Sequence, residues 1–103
     1  MSKSILQDEK ECFITGSHNN LHKHHIYKGN PNRKISEEQG FYIYLEDFWH
    51  TNSNECVHKN HAFDVCLKKM CQMAYEDMLI IDQGISRESA RDRFRKMIGR
   101  SYI

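Results

Sequence analysis

Apolar positions recur along this chain with two different periods, and the change falls near Asn60. Before that point the runs are short and strand-like. Leu21 to Tyr27 (Leu-His-Lys-His-His-Ile-Tyr) alternates enough to predict a strand. Phe41 to Leu45 is aromatic and β-branched, which predicts a second strand with Phe41, Ile43 and Leu45 on one face. Between them, Gly29-Asn-Pro-Asn32 is strong turn chemistry, and Ser36-Glu-Glu-Gln39 fits a capping box whose single helical turn Gly40 can close. Cys12 to Gly16 is a short apolar run stopped by glycine, consistent with a small strand or turn. Residues 1–11 are polar and mixed in charge, and are expected to form a loose lead-in. Thr51 to Glu55 predicts a polar loop.

After Asn60 the period becomes helical. Phe63, Leu67, Met70, Ala74 and Met78 recur at three- and four-residue spacing, Asn60 is a suitable N-cap, and Gln83-Gly84 predicts the end. Ser86 then caps a second helix with Ala90, Phe94, Met97 and Ile98 on its buried side and Gly99 as the stop. The pattern predicts one α+β domain over residues 1–103: a β-hairpin, a long helix, and a C-terminal helix packed on it. Met70, Met73 and Met78 are expected in the core, as are Cys66 and Cys71.

Composition narrows the function. At 103 residues, with 39% apolar and 28% charged residues, the chain suits a single soluble domain. No apolar run approaches the roughly 20 residues of a bilayer span, so no membrane partner is expected. The start lacks the apolar stretch of a signal peptide, which predicts a cytoplasmic protein with reduced thiols. The four cysteines contain no Cys-x-x-Cys, so no zinc ribbon is written here. A net charge of +1, from 15 basic and 14 acidic residues, argues against a large DNA footprint. It leaves room for an enzyme that touches a few phosphates through a metal.

Seven histidines, His18, His22, His24, His25, His50, His58 and His61, all lie in the first two thirds of the chain. Histidine is the commonest metal ligand and the usual base near neutral pH. Phosphodiester hydrolysis needs a metal against the phosphate and a base to deprotonate water. His24-His25 on one strand, with His50 and His58 further along, could supply both if the fold gathers them. On a flat strand His22 and His24 share a face and His25 does not. His18 and His61 are expected at the surface, and the basic run Arg87 to Arg100 as the solvated face of an amphipathic helix.

These residues also carry a resemblance. Leu21-x-x-His24-His25-Ile26 with Gly29, Arg33 and Ser36, then Gly40-x-x-x-Tyr44-Leu45-x-x-x-x-His50, then Val57-His58-x-Asn60 resemble the small phage HNH-type nucleases. The similarity runs on through Leu67-Lys68 and Gln72 to Phe94, Gly99 and Tyr102, and spans residues 12 to 103. It implies a ββα-metal site and cleavage of DNA in phage recombination or DNA processing, in the host cytoplasm. Carried over residue by residue, His24, His50 and His58 would be metal ligands and His25 the general base. Arg33 would bind a phosphate, and Asn60 would orient water or cap the helix. The implied cofactor is one divalent ion, Zn²⁺, Ni²⁺, Mn²⁺ or Mg²⁺. Members of this group often carry a zinc knuckle, and its four positions here are Cys12, Thr15, Glu46 and Trp49. A structural zinc is therefore not expected, and packing of Trp49 and Phe13 is expected to replace it. The middle Asn that steadies the base has no match near Phe41. The alternative is a catalytically weak or inactive HNH-like protein that binds a host factor such as a defence nuclease. A homodimer through the Met- and Cys-rich helix is a further expectation to test.

Overall fold

The computed structural model describes residues 3–51, 53 and 56–103. Strand β1 (Leu21–His25) pairs antiparallel with β2 (Tyr42–Glu46), with His24 opposite Ile43 and His22 opposite Leu45. Helix α1 (Asn32–Gln39) lies in the connection between the strands. A four-residue helix α2 (Asp47–His50) follows β2 directly, then the long α3 (His61–Gln83) and α4 (Arg87–Ile98). The α+β hairpin, long helix and C-terminal helix are thus as the periodicity predicts. No helix of the described residues is long and apolar enough to cross a membrane.

The caps explain the helix ends. Asn60 accepts from Phe63 N at the start of α3, Ser86 accepts from Ser89 N at the start of α4, and Gly84 and Gly99 close them at positive φ. Helix α1 differs from expectation. It is eight residues long and starts without a side-chain cap. Ser36 is no cap but a buried residue inside it, donating to the Tyr27 carbonyl and accepting from Tyr27 N. These two hydrogen bonds tie α1 to the chain just past β1, which ends at His25 rather than Tyr27.

The core is built on Phe41, just before β2, with Ile43 and Leu45 of the strand itself, each fully buried, as the alternation predicts. Tyr27, Phe41, Tyr75 and Phe94 form edge-on or tilted ring contacts that join hairpin, α3 and α4. The buried face of α3 is Leu67, Cys71, Tyr75 and Leu79, rotated by one residue from the predicted stripe. Met70, Met73 and Met78 are 41%, 37% and 36% exposed, and Cys66 is exposed, so none of them is core. The cause lies in α4. Its Arg91 and Arg87 bond to the fully buried Glu76 carboxylate, and Gln72 bonds Glu76, Ser101 and Tyr102. These polar anchors turn the 72/76 side inward. Arg91 is therefore bound to the protein rather than simply solvated.

The lead-in is not loose. Ile5 N donates to Gly40 O, Ser4 Oγ to Tyr42 O, and the Gln7 amide accepts from Tyr44 N. Met1 and Ser2 lie outside the described residues, as do Asn52, Asn54 and Glu55 of the expected polar loop. At the knuckle positions, Thr15 Oγ1 donates to Glu46 Oε1, and Glu46 N donates to Cys12 Sγ at 3.4 Å. Hydrogen bonds thus join three of those positions, while Trp49 and Phe13 pack at the edge of the core.

Candidate metal centre

Three segments carry one histidine each to a common point. His24 sits on the inward face of β1 and is 2% exposed. His50 ends α2, which follows β2 without a loop, so it stands beside its antiparallel partner β1. His58 returns because Val57 N donates to Trp49 O at 2.7 Å, which lays residue 58 against residue 50. The Cys56 carbonyl, accepting from Lys59 N and Asn60 N, tightens the same turn. One ring nitrogen from each of His24, His50 and His58 lies within 4.8 Å of the others. His50 Nε2 and His58 Nε2 are 3.0 Å apart.

These residues could hold a metal ion, and the donor chemistry fits one. His24 Nε2 is buried and has no hydrogen-bond partner among the described residues, an arrangement that costs about 1–3 kcal/mol unless something binds there. All three imidazoles are held neutral, as ligands must be. Burial, reinforced by Lys28 and the neighbouring histidines, pushes His24 down to about 3. Burial and the charges of His58, His22 and Lys28 push His50 down to about 4. Burial and Lys28 also lower His58. His58 is exposed and His50 half-buried, so the cluster opens to solvent on one side. Three imidazoles with an open side would leave a held ion a position free for a further ligand.

His25, on the opposite face of β1, is placed as strand alternation requires. Its Nε2 is 2.8 Å from Glu37 Oε1 of α1, and Lys23 Nζ is 3.2 Å from the same oxygen. The hydrogen bonds of His25 and Lys23 hold the Glu37 carboxyl below its usual range against its partial burial. Because β1 ends at His25, this histidine still lines the cleft formed by Lys23, His24, Lys28, Gly29, Arg33, His50 and His58. A second groove, lined by His25, Gly29, Asn30, Arg33, Lys34 and Glu37, adjoins it through His25, Gly29 and Arg33. Arg33 is exposed and borders both. Asn60 uses its side-chain oxygen to cap α3 and lines neither cleft, so of its two expected roles the geometry displays the cap. His18 and His61 are exposed.

Three participants were not singled out from the sequence. Glu37 was hidden in the capping-box pattern. Lys28, with Nζ 2.9 Å from His58 Nδ1, has no periodic signal. His22, 3.0 Å from His50 Nδ1, shares the His24 face, and that alternation was the available clue. No family model, curated protein or solved structure matches the chain.

Proposed function

We propose that this chain is a metal-dependent, HNH-like endonuclease that cleaves DNA phosphodiesters, in phage recombination or DNA processing. The observation that carries the reading is the convergence of His24, His50 and His58, with a buried unpaired nitrogen, beside a cleft bordered by cations. A divalent ion held there would supply charge to the phosphate and the leaving oxygen.

The chain's own groups supply the rest. Arg33 and Lys28 border the cleft where a phosphate would lie, and the planar guanidinium suits two of its oxygens. His25 donates its Nε2 proton to Glu37, which leaves the Nδ1 lone pair to take a proton from water. The water oxygen attacks phosphorus, the phosphorus–ester oxygen bond breaks, and the ester oxygen leaves with that electron pair. The imidazolium formed at His25 is stabilised by the Glu37 carboxylate. Glu37 thus takes the steadying place for which the sequence offered no Asn.

The test is nicking of supercoiled plasmid by the full chain with added Mg²⁺, Mn²⁺, Ni²⁺ or Zn²⁺. His25→Ala is expected to lower the rate about 10²- to 10⁴-fold while metal binding persists. Equal rates for wild type and His25→Ala reject the base assignment. Metal binding without cleavage under any ion favours the alternative, an inactive relative that captures a host protein.

A further inference from the structure

We propose that His22 is a positioning residue of the metal centre, holding His50 in the one tautomer that presents Nε2 to an ion. The inference rests on the metal-centre reading above. It concerns a histidine outside the pattern that carries the resemblance.

A neutral imidazole has one N–H and one lone pair, on different nitrogens. The two nitrogens of His50 face different neighbours. Nε2 turns to the centre, 3.0 Å from His58 Nε2, and Nδ1 turns to His22 Nδ1, also at 3.0 Å. Ligation through Nε2 requires its lone pair, so the proton must sit on Nδ1 and needs an acceptor. His22 Nδ1 is that acceptor. The two rings meet edge-on at 89°, with centroids 5.1 Å apart.

His22 can accept only if its own proton is on Nε2. That nitrogen faces Asp47 Oδ1 at 3.7 Å, where the carboxylate's charge favours the N–H. Asp47 is itself placed by Thr51 Oγ1, which donates to Oδ1 at 2.9 Å, and by its backbone bond to Asn20 O. The result is an ordered line, Asp47 to His22 to His50 to the centre. Metal-bound histidines generally have such an acceptor behind the ring. Behind His58 Nδ1 there stands instead a donor, the Lys28 ammonium. Of these two ligands, His50 is therefore the one already set for binding, and His22 sets it. With its Nδ1 committed to His50, His22 does not join the three ligands.

The experiment is Zn²⁺ titration of the full chain against a chromophoric chelator, with Co²⁺ absorption spectra reporting the ligand set. His22→Ala is expected to bind one ion about 10- to 100-fold more weakly, with the wild-type Co²⁺ spectrum. His22→Asn, whose amide oxygen can accept from His50 Nδ1–H, recovers most of the affinity, whereas His50→Ala changes the spectrum. ¹⁵N NMR of the metal-free wild type is expected to place the His50 proton on Nδ1. His22→Ala binding as tightly as wild type overturns the positioning role and leaves the metal centre standing. A His22→Ala spectrum altered like that of His50→Ala makes His22 a ligand and overturns it too. A proton on His50 Nε2 does the same. A wild type that binds no ion removes both the inference and the centre beneath it.

Discussion

At the scale of single residues, the clustered histidines carry a stability cost that depends on pH. His24 and His50 are kept neutral by burial, with values near 3 and 4 instead of the ordinary 6.5. Without metal, as pH falls below 6.5 the unfolded chain takes up protons at these positions that the folded chain refuses. The folded state therefore loses stability on acidification, from about pH 6.5 down through the folded values. Thermal melts of the metal-free protein are expected to show Tm level above pH 7 and falling between pH 6.5 and 4. A Tm unchanged by His24→Ala in its pH dependence would remove His24 from the account. Burial raises the Cys71 thiol to about 12, which keeps it an unreactive core residue.

At the scale of elements, β1 and α3 position the centre in different ways. The two-residue period of β1 sends His22 and His24 to one face and His25 to the other, so one short strand serves both the histidine cluster and the Glu37 pair. Helix α3 contributes no histidine to the cluster; its capped start anchors the turn that carries His58. Asn60→Ala is expected to cost about 1 kcal/mol in urea unfolding, and Asn60→Ser close to nothing, because either oxygen can cap Phe63 N. Metal affinity of Asn60→Ser equal to wild type separates capping from a role at the centre. The ends of α3 and α4 were legible in the sequence because caps and glycine stops act within a turn. The buried face of α3 was not. Its apolar residues cover more than one side, and the Glu76 anchors to Arg87 and Arg91 on α4 chose among them.

At the scale of the whole molecule, the centre joins segments distant in sequence: β1, the end of α2, and the turn before α3. An ion that binds only the folded chain adds RT ln(1 + [ion]/Kd), about 2.7 kcal/mol at a hundredfold excess over Kd. For a domain of this size each kcal/mol raises Tm by about 4–8 °C. Differential scanning fluorimetry is expected to show a clear rise in Tm on adding Zn²⁺ or Ni²⁺, reversed by chelator and absent in His24→Ala. An equal rise in wild type and His24→Ala would place the ion elsewhere.

What the linear chain determined by itself was local: the two periods, the caps, the glycine stops, and the alternation that separates His24 from His25. Each of these depends on backbone preferences and side chains within a few residues. The packing of the folded chain decided that His58 returns to His50, that Glu37 rather than an Asn meets His25, and that three methionines face outward. Those outcomes follow from bonds between separate elements, Val57 to Trp49 and Arg91 to Glu76 among them, and from competition for burial that local backbone preferences do not decide.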